Sequence, residues 1–124
     1  MDLSENRTQH PNLIKSATAE TCVIRGHTYY QSVIIPYQDE VCTVATKTVA
    51  ELTLSNVHEL CAHQPEIIIL GTGAEIQFPD TRLLQPIVEQ NIGLEVLNNQ
   101  AAARTYNVLL AEDRNVVCLM LLGD

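Results

Sequence analysis

The chain has 124 residues, which is the size of one ordinary domain. Hydrophobic residues make up 46% of it and charged residues 18%, so the composition excludes an intrinsically disordered protein. Fifteen acidic residues against seven Lys and Arg give a net charge of −8, and the cations are scattered singly, which argues against a nucleic-acid-binding surface.

Targeting and redox signals are equally sparse. The longest apolar run, residues 116–122, has seven residues, whereas a membrane-spanning helix needs about twenty. The polar, acidic start of the chain lacks the features of a secretory signal or a mitochondrial presequence. The four cysteines form no C-x-x-C pair, so we expect reduced, mostly buried thiols. Together these features predict a cytoplasmic protein without a membrane span.

The first half of the chain has the pattern of an arm followed by short β-strands. Residues 1–18 are polar with little periodicity and predict a flexible N-terminal arm. Two runs rich in β-branched and aromatic residues, 21–24 and 28–35, lie on either side of Gly26 and predict a β-hairpin. A third short strand is predicted at residues 41–44.

The second half alternates between helical and strand periodicity. A helix is predicted around residues 57–61, and the continuous apolar run 66–70 is typical of a strand buried on both faces of a sheet. A second helix, capped by Asp80, is predicted to run to about Asn91. Its buried stripe is predicted to consist of Leu83, Leu84, Ile87 and Val88.

The same alternation continues to the end of the chain. A strand is predicted at residues 94–97, a helix at 100–112 capped by Asn98 or Asn99, and a last buried strand at 116–122. The core-facing side chains of that helix are predicted to be Ala102, Tyr106 and Leu109.

Residues 66–122 therefore form a predicted βαβαβ unit, whose right-handed crossovers make the three strands parallel. The N-terminal hairpin must either add to an edge of this sheet or pack over it. The predicted fold is a single α/β domain, residues 19–124, with a mixed central sheet.

The Gly71-Thr72-Gly73 segment follows a predicted buried strand and has two interpretations. It is not a dinucleotide fingerprint, because Ile76 stands where the third glycine belongs, and no Walker sequence follows. One interpretation is a tight turn. The other is a polar pocket, because the carboxyl ends of parallel strands meet the start of the next helix there. The pocket lining is predicted to be Thr72, Asn98, Asn99 and Gln100.

The segment from Arg104 to Asn107 also has two interpretations. In the structural one, the Tyr106 ring lies in the core, Asn107 bonds to nearby backbone, and Arg104 pairs with Glu95 or Glu112. In the functional one, the segment forms part of a recognition surface.

No metal site, cofactor or catalytic set is predicted. Of the four histidines, His58 and His63 are five residues apart and lie on different faces of a helix, which is unsuited to zinc. The chain has no G-x-S-x-G nucleophile elbow and no arguable pair of catalytic carboxylates.

Two segments carry a family resemblance. They are P-E-I-I-I-L-G-T-G at residues 65–73, followed by Phe78-Pro79, and G-L-E-V-L at 93–97, followed by A-A-A-R-T-Y-N at 101–107. Together they resemble the Mth938-like family, a former domain of unknown function related to the mitochondrial complex I assembly factor 3 family. The resemblance covers about residues 20–122.

This resemblance implies a compact α/β domain with a mixed sheet and a binding or assembly role. Two positions depart from the family pattern: Asn99 stands where Thr is expected, and Ala103 stands where Cys is expected. Asn still caps a helix, but chemistry that needs a thiol at that position would be absent.

The sequence thus predicts a non-catalytic protein-binding or assembly-factor-like domain, a monomer or a homodimer, with a protein partner. The predicted binding surface comprises Gly71, Thr72, Gly73, Asn98, Asn99, Arg104, Tyr106 and Asn107. The alternative is a small-molecule-binding protein or enzyme that uses the polar pocket. A third interpretation is a homodimer paired through an edge strand at residues 28–35.

Overall fold

The computed structural model describes residues 10–123, which form two β-sheets and three α-helices. The strands are β1 (Ile14–Ala17), β2 (Cys22–Ile24), β3 (His27–Tyr29), β4 (Val33–Ile35), β5 (Cys42–Thr43), β6 (Ile67–Gly71), β7 (Gly93–Leu97) and β8 (Val116–Met120). The α-helices are α1 (Leu54–Cys61), α2 (Gln85–Glu89) and α3 (Asn99–Ala111), and short 3₁₀ helices occupy Val49–Glu51 and Thr81–Leu84.

The central sheet has five strands in the order β5-β4-β8-β6-β7. Strand β6 pairs in parallel with both β7 and β8, so that Ile68 lies between Leu94 and Val117, whereas β4 runs antiparallel to β8. The predicted parallel βαβαβ unit and the mixed central sheet are therefore confirmed. The continuous apolar runs arise because β6 and β8 are covered on both faces.

Two layers cover the central sheet. Helices α1 and α2 pack on one face, against Ile68 and Leu119, while α3 and the small sheet β1-β2-β3 pack on the other, against Ile69 and Cys118. Strands β1, β2 and β3 therefore pack over the central sheet, whereas β4 and β5 extend it beside β8. Each of the two arrangements that the sequence left open thus describes part of the N-terminal half.

The predicted second hairpin strand, residues 28–35, is two strands in two different sheets. Arg25 and Gly26, with φ of 56° and 77°, make the turn between β2 and β3. The chain then leaves the small sheet, because the buried Ser32 hydroxyl accepts a 2.8 Å hydrogen bond from Leu122 N and holds β4 beside β8. Residues 28–35 are therefore not one continuous edge strand: β4 pairs on both sides, while β3 is an edge of the small sheet.

The prediction of a flexible arm as far as residue 18 is wrong for residues 14–17, which form strand β1. Ile14 and Ala17 are buried, and the Asn107 side chain bonds to both the N–H and the carbonyl of Ile14. These contacts order β1 although its sequence carries little periodicity. Residues 1–9 of the predicted arm lie outside the described residues.

The predicted helix from Asp80 to Asn91 is shorter and less regular than expected. Asp80 does cap it, accepting a 2.9 Å hydrogen bond from Arg82 N, but the first turn is 3₁₀. Pro86 has no N–H to bond to the carbonyl four residues earlier, so the α-helix begins only at Gln85. Val88 is 64% exposed and does not belong to the buried stripe.

The four cysteines are unpaired, and Cys42 is exposed while Cys22, Cys61 and Cys118 are buried. Burial raises the pKa of the Cys22 thiol to about 12 and that of Cys118 well above its ordinary value. The buried thiols are therefore shielded and protonated at neutral pH.

Alkylation should separate these cysteines. With iodoacetamide at pH 8.5, we expect Cys42 to be modified in the folded protein and all four thiols in urea, as counted by intact-mass spectrometry. Modification of Cys118 as fast as Cys42 in the folded protein would contradict the described core.

Candidate functional site at the carboxyl ends of the parallel strands

The turn after β6 is imposed by close packing and backbone conformation. A Cβ at Gly71 would lie 2.6 Å from Asn99 Oδ1 and 2.7 Å from Met120 Sδ, so only glycine fits without displacing both side chains. Gly73 has φ of +104°, which side-chain-bearing residues rarely adopt. The tight-turn interpretation of this segment therefore describes the structure.

Thr72 fixes the loop that leaves the strand. Its hydroxyl donates to the Glu75 carbonyl at 2.7 Å and accepts from Gln77 N at 3.1 Å. Its backbone N–H donates to the Leu97 carbonyl at the end of β7, at 2.9 Å. Residues 72–77 are thereby held against the ends of two parallel strands.

Asn99 joins three segments from a buried position. Its side chain is 1% exposed; Oδ1 accepts from Gly73 N, and Nδ2 donates to the carbonyls of Thr18 and Leu121, each at 2.9 Å. These bonds engage both amide protons and one of the two Oδ1 lone pairs. Asn99 therefore holds the fold together, and at 1% exposure it offers little surface to a partner.

Asn98, half-buried at the surface, is the residue that caps α3. Its Oδ1 accepts a 2.9 Å hydrogen bond from Ala101 N. This settles the choice between Asn98 and Asn99 that the sequence left open.

A polar pocket does lie beside this cap, with a volume of about 210 Å³. It is lined by Thr18, Ala19, Gly73, Ala74, Asn98, Asn99 and Gln100. Thr72, predicted to line it, instead faces a neighbouring depression of about 330 Å³. The pocket is smaller than the 300–1,000 Å³ usual for ligand sites, so it suits at most a small group.

The Arg104–Asn107 segment is largely structural. Tyr106 is completely buried and donates a 2.7 Å hydrogen bond to the Pro36 carbonyl, and burial raises its pKa above the ordinary value. Asn107 donates to Ile14 O at 2.8 Å and accepts from Ile14 N at 2.9 Å. The prediction of Tyr106 as a surface residue is wrong, because no partner could reach it.

Arg104 is the exposed member of that segment. The predicted pairing with Glu95 or Glu112 is not observed: the ion pairs between residues 10–123 do not include Arg104. Arg104 lines a depression of about 260 Å³ between β1 and α3, together with Lys15.

Sequence reasoning missed the two most prominent apolar side chains near the turn. Phe78 is 77% exposed and Ile76 is 48% exposed, both on the loop that Thr72 fixes. Phe78 borders a depression of about 520 Å³. The sequence did contain one indication of this exposed side chain: Phe78 is the only phenylalanine of the chain and lies between Gly73 and Asp80, where there is no helical or strand periodicity.

The four depressions adjoin one another and form what we call the strand-end groove. Neighbouring depressions share lining residues. The depression at Arg104 shares Gln100 with the polar pocket, and the polar pocket shares Ala19, Gly73 and Ala74 with the depression at Thr72. The depression at Thr72 shares Gln77 with the depression at Phe78. The groove runs from Lys15 and Arg104 past the polar pocket to Phe78. Of the predicted surface, the lining of the groove includes Thr72, Gly73, Asn98, Asn99, Arg104 and Asn107.

Metal-binding and membrane-spanning features are not found in the part of the chain that the structure describes. Residues 10–123 contain no group of three or more His, Cys, Asp or Glu side chains placed to hold a metal ion. None of the helices within the same range has the length and apolar character that crossing a membrane requires.

Comparison with known proteins identifies the family. The model of a family described as "Protein of unknown function (DUF498/DUF598)" matches residues 14–121. The chain belongs to this family. An NMR structure described as a Mth938-like domain, from Bordetella pertussis, is 22% identical and superposes with a TM-score of 0.78, covering 89% of this chain and 85% of that one. The Mth938-like resemblance and fold are therefore confirmed.

Two further relatives of this DUF498/DUF598 domain come from other bacteria. A Xanthomonas campestris protein solved by NMR is 34% identical, with a TM-score of 0.81, covering 89% of this chain and 83% of that one. A Francisella tularensis protein named "13 kDa major membrane protein" is 26% identical over 127 residues, 98% of this chain and 99% of the relative.

Proposed function

We propose that this domain is a non-catalytic, assembly-factor-like protein-binding module, and that its recognition surface is the strand-end groove with Phe78 as the anchor. The observation that carries the proposal is the 77% exposure of Phe78 beside a depression of about 520 Å³. Buried aromatic side chains at interface centres carry much of the binding free energy, because they bury a large apolar area.

The loop that carries Phe78 is held at both ends, which supports this role. Thr72 makes four hydrogen bonds at the start of the loop. At the other end of the loop Pro79 is buried, and Arg82 forms a 2.7 Å ion pair with Asp80. The hydrogen bonds from Arg82 lower the pKa of the Asp80 carboxyl group to about 2. A preordered loop loses little conformational entropy on binding, so an exposed phenylalanine there contributes more to affinity.

A matched pair of variants tests the anchor. Tyr30, 75% exposed on the connection between β3 and β4, serves as the control for Phe78. We expect Phe78→Ala to weaken partner capture about tenfold or more, as for an interface hot spot, while Tyr30→Ala leaves it unchanged. Both variants should keep the wild-type melting temperature, because neither side chain is buried.

The measurement is quantitative affinity capture from lysate of the native host, with each variant at equal concentration. A protein enriched by the wild type and by Tyr30→Ala but depleted with Phe78→Ala supports the proposal. Equal capture by all three forms would contradict it.

The cellular location is part of the same proposal. We place the interaction in the cytoplasm, as the sequence predicts. The name of the Francisella relative makes membrane association the competing location. Fractionation of host cells decides between them: the chain should be recovered in the high-speed supernatant, and recovery in the membrane pellet would contradict the placement.

The alternative function, small-molecule binding, is favoured by the polar pocket of about 210 Å³ at the start of α3. It predicts that a metabolite at 100 times its dissociation constant stabilises the domain by about 2.7 kcal/mol. A thermal-shift screen of anionic and nucleotide metabolites tests it, and a saturable shift removed by Gln100→Glu would favour this alternative over partner binding.

A further inference from the structure

The other end of the strand-end groove specifies the chemistry of the partner. Resting on the proposed function, we infer that the groove takes an extended segment of the partner protein, with an apolar side chain at Phe78 and an acidic side chain between Lys15 and Arg104.

The cationic end stands out against the charge of the chain. Lys15 and Arg104 are both exposed and line one depression of about 260 Å³, in a protein of net charge −8. No Asp or Glu side chain lines that depression. Within residues 10–123, ion pairs engage Arg82 and Arg114 but neither of these two cations. Two cations on one depression favour a carboxylate.

The walls of this depression are fixed relative to each other. The Asn107 amide bonds to both the N–H and the carbonyl of Ile14, which ties β1 to α3. Lys15 follows Ile14 on the strand, and Arg104 lies three residues before Asn107 on the helix. The backbone positions of both cations are thus set before a ligand arrives, which lowers the entropic cost of binding.

The continuation of the groove beyond the two cations favours a peptide segment over a free anion. A free anion would occupy the cationic end alone. The depression at Arg104 continues through Gln100 into the polar pocket, and from there past Gly73 and Gln77 to Phe78. Its middle is lined by one cation and one acid, Lys47 and Glu75, among uncharged polar side chains and backbone, so it offers hydrogen-bonding groups without a net charge to an extended main chain.

Titration of the full chain with short peptides, monitored by ¹⁵N NMR, tests the cationic end directly. The probe is an acetylated and amidated tripeptide of three glutamates, and the matched control peptide has three glutamines. We expect the glutamate peptide to shift the amide signals of Lys15, Ser16, Ala103 and Arg104 saturably, and added salt to weaken the effect. The glutamine peptide should leave these signals unchanged.

Variants assign the effect to the two cations. Lys15→Gln with Arg104→Gln should weaken the glutamate peptide about tenfold, whereas Arg25→Gln, an exposed cation in the β2–β3 turn, should not change it. Because all three side chains are exposed, we expect these variants to keep the wild-type melting temperature. Equal weakening by Arg25→Gln, or undiminished binding to the double variant, would overturn the inference.

Inorganic phosphate distinguishes a peptide site from a general anion site. Shifts of the same residues by phosphate at the same concentration and of the same size would overturn the inference in favour of an oxyanion site. The Phe78→Ala capture experiment is independent of these titrations. If Phe78 is required for capture while the glutamate peptide has no effect, the proposed function stands and only the polarity of the partner segment is refuted.

Discussion

Asn99→Asp is expected to destabilise the domain by about 3–5 kcal/mol at neutral pH, the cost of leaving a buried charge unpaired. The substitution changes one group only: Nδ2, which donates to the carbonyls of Thr18 and Leu121, becomes an oxygen. A carboxylate at this position, where Asn99 is 1% exposed, would face two carbonyl oxygens with no donor between them. Gly73 N would be the one donor left to it.

The loss should depend on pH with a defined sign. Burial and the two carbonyl oxygens favour the protonated acid, so the folded-state pKa of Asp at position 99 lies above its unfolded value of about 3.9. The free energy of unfolding of the variant is therefore closest to that of the wild type below the unfolded pKa of about 3.9, and it falls as the pH rises through the folded-state pKa. Urea unfolding of both proteins at pH 4 and pH 7 measures the difference.

The neighbouring residue supplies the control. Asn98 caps α3 through its side-chain oxygen, and a carboxylate oxygen caps equally well beside the positive end of the helix. Asn98→Asp should therefore change the free energy of unfolding by less than about 0.5 kcal/mol. Equal stabilities of the two aspartate variants at pH 7 would refute the role assigned to Asn99.

Gly71→Ala is expected to cost about 2–4 kcal/mol, because overpacking and a lost hydrogen bond add. The new methyl group would lie 2.6 Å from Asn99 Oδ1 and 2.7 Å from Met120 Sδ. The Met120 side chain can rotate, but Asn99 cannot move without loosening its bond to Gly73 N.

Gly93, at the start of β7, is the matched control for Gly71. A Cβ there would make ordinary contacts, the closest with Ile67 Cγ1 at 3.4 Å. We expect Gly93→Ala to change the free energy of unfolding by less than about 1 kcal/mol in either direction. Denaturant midpoints of the two variants give the comparison, and a Gly71→Ala variant as stable as Gly93→Ala would contradict the packing described at the turn.

The central sheet was predictable because its signals are local. Strands β6 and β8 are continuous apolar runs, and the Ala102, Tyr106 and Leu109 face of α3 follows helical periodicity; all three side chains are buried. Which strands of the N-terminal half pack over the central sheet and which extend it was not predictable. That choice depends on contacts such as Ser32 with Leu122, which are 90 residues apart in sequence.

The same limit explains the errors at the ends of elements. Strand β1 is ordered by hydrogen bonds to Asn107, 93 residues away, so the sequence near Ile14 does not predict this strand. The late start of α2 has a local cause, Pro86. The sequence did not predict it because the capping residue Asp80, five positions before the start of α2, is itself typical of a helix start.

The sequence predicted the position of the turn and of the polar pocket, but not which of the nearby side chains are exposed. The sequence located the turn at Gly71, the helix cap and the pocket between them. It could not distinguish polar side chains that hold the fold, such as Asn99 and Tyr106, from those available to a partner, because both kinds occur in one motif. The exposure of Phe78 is a tertiary property that no periodicity encodes.

Site-specific photo-crosslinking tests the central claim, partner binding at the strand-end groove, most directly. A benzophenone amino acid replaces Phe78 in one variant and Tyr30 in another, and each is irradiated in living host cells. We expect a discrete heavier adduct with another protein from position 78 and none from position 30. No adduct at position 78, or the same adducts from both positions, would contradict it.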